Sequence, residues 1–283
     1  MRCSNCPRRC DGVSFCGKSG SIRVNIHQLH YWEEPPISGT RGSGTIFFSN
    51  CNLKCVFCQN YKISHLGNGQ EITPSELVDM CWELKDQGAH NINFVTPTPY
   101  ADKIIDVIKE LKRNGFKLPF VWNCGGYESP DVIKAMNGVV DIYLPDFKYS
   151  DNKLAEEYSS APGYYENAIK IIKEMKRQTV DTFDDAGIMQ KGLIIRHLIL
   201  PDQVENSKKV LRAIKETIGV NVLVSLMSQY CPVFKANEHN ELGRKITPDE
   251  YHEVYDYFLS LGFEDGYTQD FGSATEYYIP AFH

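Results

Sequence analysis

Long apolar runs are missing from this sequence. No stretch of its 283 residues is both long enough and apolar enough to span a membrane. The first residues, Met1-Arg2-Cys3, lead into cysteines and arginines instead of the apolar segment of a signal peptide. These two absences predict a cytoplasmic protein without a membrane partner.

An excess of positive charge is missing as well. Thirty lysines and arginines stand against 36 aspartates and glutamates, which gives a formal net charge of −6. Bulk charge of this sign does not favour binding to nucleic acid, so we expect no nucleic-acid partner. The composition is 42% hydrophobic and 23% charged, as in globular proteins, and the length suits a single barrel-like domain.

Cysteine, by contrast, is unusually frequent in this sequence. Seven of the ten cysteines fall within the first 58 residues. In a cytoplasmic protein this number favours metal binding or catalysis over disulfide bonds. The other three, Cys81, Cys124 and Cys231, are scattered, and Cys81 lies in a helical pattern where a small core residue is expected.

Cys51, Cys55 and Cys58 form the most informative pattern, Cys-x3-Cys-x2-Cys, directly after the strand-like run 45–48. A closed zinc site takes four ligands, and a [4Fe–4S] cluster takes one cysteine per iron. Three cysteines therefore leave one iron open to another ligand. Buried reduced thiols, or zinc completed by a distant histidine, are the alternatives, and the full spacing after a strand favours the cluster.

This spacing resembles the signature of the radical SAM enzymes. The resemblance implies that the open iron binds S-adenosylmethionine (SAM), which is reductively cleaved to a 5'-deoxyadenosyl radical that abstracts hydrogen. It also implies cofactor contacts by Phe57 and Asn60, within and just after the cysteine motif. Further matching segments resemble a poorly characterised family similar to pyruvate formate-lyase activating enzyme: 49–60, 91–98, 141–149, 196–201 and 225–232.

A second cysteine group stands at the beginning of the chain. Cys3, Cys6, Cys10 and Cys16 place four thiols within fourteen residues, a number that suits a closed metal site. Too few apolar residues surround them to fold this segment unaided, so a bound metal would stabilise it. Zinc and a second [4Fe–4S] cluster both fit four thiolates, and four unliganded thiols are the third alternative.

Strands and helices alternate from residue 44 onward. The pattern predicts strands at 44–49, 90–96, 118–123, 139–144, 193–200 and 221–226. It predicts helices at 75–87, 101–114, 130–137, 164–178, 204–217 and 248–261. We expect an α/β fold, a partial (β/α)6 TIM-type barrel open on one side, over 44–283. Residues 1–43 are expected to form a cysteine-rich N-terminal extension.

Polar residues gather where the predicted strands end, which is the end of such barrels that carries the chemistry. Thr96, Asn123 and Arg196 are candidate SAM contacts on this ground. Asp146 and Lys148 are two residues apart, so in an extended segment both face the same side. An aspartate and a lysine there suit the zwitterionic end of SAM, and a surface ion pair is the alternative.

Met227 and Gln229 follow the sixth predicted strand and are candidates for adenine and ribose contacts. Arg196 and His197 must face opposite sides of their strand, and we expect His197 to be a core residue. Glu128 is a candidate cap for the helix at 130. The aromatic residues Tyr267, Tyr277, Tyr278 and Phe282 near the end of the chain are expected to pack against the barrel, with a substrate groove as the alternative.

These features predict a radical SAM enzyme that acts on a peptide or protein, with glycyl-radical activation as one form of that activity. Three departures from true activating enzymes leave the substrate open: the N-terminal cysteines, the absence of a Gly-Gly-Glu turn, and the absence of a Pro-Tyr-His pattern at 227–232. The resemblance implies an electron donor such as a flavodoxin or ferredoxin. A small metabolite as substrate, or a non-catalytic iron–sulfur or zinc protein, are the alternatives.

Overall fold

A mixed β-sheet is the centre of the fold. The computed structural model of the chain describes residues 3–10, 15–17, 20–263, 265–269, 280 and 282. The strands of this described part are β1 (Ile22–His30), β2 (Ser43–Phe48), β3 (Gln70–Ile72), β4 (Ile92–Val95), β5 (Phe120–Cys124), β6 (Ile142–Pro145), β7 (Thr182–Phe183), β8 (Met189–Leu198), β9 (Leu223–Met227) and β10 (Gly266–Thr268).

Helices connect most of the successive strands. Their bounds in the described residues are α1 (Pro35–Ser38), α2 (Tyr61–Ser64), α3 (Pro74–Asp86), α4 (Ala101–Arg113), α5 (Pro130–Ala135), α6 (Asn152–Ser159), α7 (Tyr164–Gln178), α8 (Val204–Ile218) and α9 (Pro248–Ser260). Two of these helices begin with a capping box: Thr73 and Glu76 cap α3 reciprocally, and Thr247 and Glu250 do the same for α9.

The sheet is a partial barrel, as expected. Its order is β10-β9-β8-β6-β5-β4-β2-β1-β3, with neighbours parallel from β10 to β2 and antiparallel from β2 to β3. The six predicted strands are confirmed as β2, β4, β5, β6, β8 and β9. Among the described residues, β10 and β3 are the two edges of this path, so the sheet stays open.

Strand β1 lies within residues 1–43, where no strand was predicted. It pairs with β2 from Val24↔Phe48 to His30↔Ser43 and so belongs to the sheet. Its alternating, half-buried sequence lacks the continuous apolar character of the parallel strands. The division of the chain at residue 43 stays a prediction.

The two faces of the strands serve different purposes. Side chains such as Phe94, Trp122 and Tyr143 belong to the main core beneath the helices. Neighbouring strand positions, including Val121 and Ile142, form a separate apolar cluster inside the barrel. Alternate positions of a strand point to opposite faces, so every second residue enters the barrel.

Helix α1 closes the end of the barrel at which the parallel strands begin. Its Ile37 is fully buried in the inner cluster beside Val121 and Ile142. The Nδ2 of Asn91 donates to the Ile37 carbonyl at 2.7 Å. Glu33 and Glu34 directly precede α1. They therefore lie inside the barrel, below the end at which the parallel strands finish.

The aromatic end of the chain packs against the sheet where it is described. Phe282 is buried, with its ring 5.4 Å from that of Phe47. Tyr267 lies in β10, and Tyr277 and Tyr278 lie outside the described residues. No helix in the described part of the chain is long and apolar enough to cross a membrane.

Candidate active site

The loop that carries Cys51, Cys55 and Cys58 leaves the carboxyl end of β2. It is fixed against the end of α6, because the Lys54 amide donates to the Ser159 carbonyl at 3.0 Å and the Val56 amide donates to the Tyr158 carbonyl at 2.9 Å. All three cysteines therefore lie at the end of the barrel where we expected chemistry.

Each of the three sulfur atoms has a hydrogen-bond partner within the protein. The Leu53 amide donates to Cys51 Sγ at 3.3 Å, and the Ser159 hydroxyl donates to Cys55 Sγ at 2.9 Å. Cys58 Sγ lies 3.1 Å from the Ser64 hydroxyl. Hydrogen bonds to cysteine sulfur are among the features that set the reduction potential of an iron–sulfur cluster.

The donor set suits a metal cluster. Burial raises the pKa of the Cys51 and Cys55 thiols, and it raises the pKa of Cys58 to about 11. These thiols therefore need the positive charge of a bound metal to become thiolates. Three soft thiolates fit a [4Fe–4S] cluster with one iron left open.

A buried ionic cluster lies beside the cysteine loop. Asp146 binds Lys148 through Oδ2 at 2.5 Å and the Arg196 Nε through Oδ1 at 3.0 Å. Arg196 Nη1 also lies 3.3 Å from an oxygen of Glu33. These four side chains are between 10% and 15% exposed. Asp146 and Lys148 therefore do not form the surface ion pair that was the alternative prediction for them.

Electrostatics holds these groups in their charged forms. Burial alone raises the pKa of Asp146, but Lys148 and Arg196 together bring that pKa below its ordinary value. Burial lowers the pKa of Lys148, and Asp146 and the sulfur of Cys55 more than reverse this effect. Tyr149, the residue after Lys148, hydrogen-bonds to the Ser159 hydroxyl that donates to Cys55, so the ionic cluster and the cysteine loop are neighbours.

Glu33 is the site residue that sequence reasoning missed. Its Oε1 accepts from Asn93 at 2.9 Å and from Asn123 at 3.3 Å, while Arg196 contacts its other oxygen. Burial raises its pKa, and Arg196 opposes this shift. No motif marks Glu33; the one signal was Asn93, an amide in an apolar strand at a position that enters the barrel.

Hydrogen bonds join three of the residues that are predicted to contact SAM. Asn123 Oδ1 accepts from Arg196 Nη2 at 2.5 Å, and the Thr96 amide donates to the Asn123 carbonyl at 3.0 Å. Thr96 has a φ of 59°, a left-handed conformation that is uncommon for a β-branched residue. Strained backbone of this kind is often found at functional sites.

The remaining candidates lie around the same loop. Phe57 is buried with its ring 5.7 Å from that of Tyr230, and Asn60 is the residue before α2. Gln229 Nε2 lies 3.5 Å from Met227 Sδ, and the Gln229 carbonyl accepts from Gln59 at 3.2 Å. These contacts join the segment after β9 to the cysteine loop.

Two other polar residues have structural partners. His197 is fully buried on the outer face of β8, with Nδ1 2.7 Å from the Phe147 carbonyl, as alternation with Arg196 requires. Glu128 accepts from the Thr98 hydroxyl at 2.6 Å, and the side chain that caps α5 is that of Ser129. The expectation that Glu128 caps this helix was therefore wrong, because its carboxylate turns into the protein toward Thr98.

Comparison with known proteins adds three similarities. The profile of the Radical SAM superfamily matches residues 45–191. An uncharacterized protein of Methanocaldococcus jannaschii is 32% identical over 263 residues, which cover 88% of this chain and 71% of that protein. The pyruvate formate-lyase-activating enzyme of Clostridium pasteurianum is 26% identical over 192 residues, which cover 62% of this chain and 70% of that enzyme.

Solved structures with the same architecture include SuiB of Streptococcus suis bound to its precursor peptide SuiA. The TM-score is 0.54 at 15% sequence identity. The match covers 78% of this chain but 46% of SuiB, so the chain spans about half the length of that protein. At this identity the similarity concerns the fold.

Proposed function

Because the chain belongs to the radical SAM superfamily and its cofactors are a [4Fe–4S] cluster and SAM, we propose that it abstracts a hydrogen atom from a peptide or protein substrate. Cys51, Cys55 and Cys58 would hold the cluster. One observation carries this assignment: three cysteine sulfurs, each with a hydrogen-bond partner, lie at the carboxyl end of β2 beside a buried ionic cluster.

The protein side chains have two tasks in this proposal. When bound, the reduced cluster and SAM supply a 5'-deoxyadenosyl radical, which removes hydrogen from the substrate. The three thiolates would fix the position of the cluster and leave one iron free. The donors to their sulfurs, including Ser159 and Ser64, stabilise the added negative charge of the reduced form.

The ionic cluster suits the amino-acid end of SAM. Arg196 offers a guanidinium that can bind a carboxylate, and Asp146 offers a carboxylate that can bind an ammonium. Arg196 donates to Glu33 through Nη1 and to Asn123 through Nη2, so these two residues would hold its guanidinium in position. This arrangement prepares both charges before SAM arrives, which lowers the cost of ordering them on binding.

A peptide or protein substrate is supported by the relatives and by the open sheet. The clostridial relative is named an activating enzyme for another enzyme, and SuiB is bound to a peptide. The described sheet ends at separate edges, β3 and β10, which leaves a side through which a long chain could reach the site. Glycyl-radical activation is the narrower form of this proposal.

An acidic electron carrier such as a flavodoxin or ferredoxin is the proposed reductant. His65 lies 3.1 Å from the Cys55 carbonyl, and burial together with Lys54 and Lys235 lowers its pKa to about 4. Lys54 lies within the cysteine loop, and the Lys235 amide donates to the Val56 carbonyl of that loop at 2.9 Å. A local positive surface on a protein of net negative charge can steer an acidic partner to this position.

The proposal is tested by 5'-deoxyadenosine formation. The protein is purified without oxygen, reconstituted with iron and sulfide, and given SAM and a strong reductant. We expect product and a SAM-dependent change in the EPR spectrum of the reduced cluster, with and without candidate peptides. Cys55→Ala should abolish both signals, whereas Cys81→Ala, which changes a buried cysteine in α3, should retain them. The proposal would be contradicted by a complete, reducible cluster whose EPR spectrum does not change when SAM is added.

A further inference from the structure

The first described segment of the chain folds back on itself. The Cys3 amide donates to the Cys10 carbonyl at 3.0 Å, and the Arg9 amide donates to the Cys6 carbonyl at 3.3 Å. Arg9 has a φ of 46°, which completes the reversal of the chain. Cys3 and Cys10 therefore lie side by side, with the turn that carries Cys6 between them.

Cys16 lies next to the same loops of the barrel, because its neighbour Gly17 is close to Asn50. The side chains of Cys6 and Cys16 are both buried. The four cysteines of this segment match the ligand number of a closed zinc site or of a [4Fe–4S] cluster.

Polar contacts join this segment to the barrel. Asn5 accepts from the Ser129 amide at 3.0 Å through its carbonyl, and its side chain donates to the Pro99 carbonyl at 3.1 Å. Arg8 Nε donates to the Asn52 carbonyl at 2.9 Å, and its Nη2 donates to the Ser160 carbonyl. Asn5 and Arg8 thus bind the loops after β4, β5, β2 and α6.

The chain near Cys16 also touches the catalytic loop. A Cβ atom at Gly17 would lie 2.9 Å from Oδ1 of Asn50, the residue immediately before Cys51. Asn52, which accepts from Arg8, follows Cys51, and Ser160 follows the serine that donates to Cys55. The N-terminal segment therefore contacts both neighbours of Cys51 and the residue next to the Cys55 donor.

We propose that Cys3, Cys6, Cys10 and Cys16 bind a second metal centre, and that this centre holds Asn5 and Arg8 as a clasp across the loops of the active site. The ligand chemistry is a metal held by four thiolates, either zinc or an iron–sulfur cluster. The role of the clasp is to position these loops, and it needs no electron transfer.

The physical reason is that the segment has little else to keep it folded. Its described contacts with the barrel include the hydrogen bonds of Asn5 and Arg8, and metal binding can supply the folding free energy that a small apolar core does not. Without the metal, Asn5 and Arg8 would lose their fixed positions. The loops around Cys51 would then become more mobile, although every catalytic ligand would still be present.

Metal analysis tests the site itself. A variant with Cys51, Cys55 and Cys58 changed to alanine should still retain metal after anaerobic purification and reconstitution. Iron with sulfide would identify a cluster, and zinc without sulfide would identify a zinc site. A variant that is folded by circular dichroism but holds neither metal would overturn the proposal.

Hydrogen exchange and SAM binding test the clasp. Changing Cys6 and Cys16 to serine should speed amide exchange in peptides that cover 50–60, 96–102 and 125–130. Arg8→Ala should keep the second metal yet weaken SAM binding about 3- to 10-fold, the loss expected from one or two hydrogen bonds. Arg9→Lys changes an exposed neighbour of the same charge and should leave exchange and SAM binding unchanged.

The clasp is wrong if the double serine variant loses its second metal but keeps wild-type exchange in all three regions. The clasp is also wrong if Arg8→Ala and Arg9→Lys give the same amide exchange and the same SAM affinity. Metal content and amide exchange do not depend on SAM cleavage. A failure of the clasp can therefore be told apart from a failure of the proposed radical SAM activity.

Discussion

The two cysteine groups of this protein differ in what surrounds them. The three sulfurs after β2 lie in the mouth of the barrel, each with a hydrogen-bond partner, and Lys148 and Asp146 are close to them. Cys3, Cys6 and Cys10 lie in a turn outside the sheet, and Asn5 and Arg8 of the same segment bind several loops of the barrel. The difference in surroundings matches the two proposed tasks: an open site for chemistry and a closed site for structure.

The largest expected effect separates the two groups by mutation. Cys58→Ala should abolish 5'-deoxyadenosine formation, because an iron of the catalytic cluster loses its ligand. Cys10→Ser should reduce the rate but leave product measurable, because it removes a proposed ligand of the centre that would position the loops. Product yield and metal content are measured on both variants. The distinction between the two cysteine groups would be wrong if Cys10→Ser lost all product, as Cys58→Ala does, while its catalytic cluster was still complete.

The next effect concerns the ionic cluster that accompanies the three-cysteine group. Asp146→Asn leaves Lys148 and Arg196 buried without their shared carboxylate, so we expect a loss of about 3–5 kcal/mol in the free energy of unfolding. SAM affinity should fall at least about tenfold if Asp146 binds the SAM ammonium. Denaturant unfolding and SAM titration by EPR measure the two quantities.

Glu205→Gln provides the matched control for that prediction. Glu205 pairs with Lys208 on α8, and its side chain is 74% exposed. Exposed pairs contribute little, so neither unfolding nor SAM affinity should change measurably. A similar response of Asp146→Asn and Glu205→Gln would mean that the barrel cluster acts as an ordinary surface pair.

A smaller effect is expected when a sulfur loses its hydrogen bond. Ser159→Ala removes the hydroxyl that donates to Cys55 Sγ. Because the donor stabilises the more negative reduced cluster, the midpoint potential should fall by roughly tens of millivolts. Ser4→Ala, an exposed change within the N-terminal segment, should leave that potential unaltered. A redox titration followed by EPR makes the measurement, and a rise in potential for Ser159→Ala would contradict the assignment.

The smallest effect concerns the surface next to the catalytic loop. Lys235→Ala should slow reduction by a flavodoxin about two- to threefold at low salt, and added salt should narrow the difference. Lys209→Ala, an exposed lysine on α8, serves as the control. Stopped-flow reduction rates provide the test. Equal rates for the two variants at low salt would place the docking surface elsewhere.

Much of the fold could be predicted because its signals are local. The strands β4 and β6 are short apolar runs, and the capping boxes of α3 and α9 are complete within four residues. By contrast, β1, β3, β7 and β10 were missed. All four have partly or fully exposed positions, so their strand conformation depends on partners elsewhere in the chain.

The candidate site was predicted in part for the same reason. Arg196 and Asn123 were recognised because they interrupt apolar strands near their ends. Glu33 was not recognised, because it precedes a four-residue helix and has no sequence neighbour that marks it. Its partners Asn93 and Arg196 are 60 and 163 residues away. Such a contact becomes visible only when the barrel is assembled.

The sequence by itself determined the number and spacing of the cysteines in each group, the alternation of strands and helices, and which strand residues share a face, because each of these depends on spacing along the backbone. The tertiary structure alone decided that α1 closes the barrel beneath Arg196. It also decided that Asp146 is shared by two buried cations, and that Asn5 and Arg8 reach the loops around Cys51. The physical reason is that burial and charge pairing belong to groups distant in sequence, and folding brings those groups together.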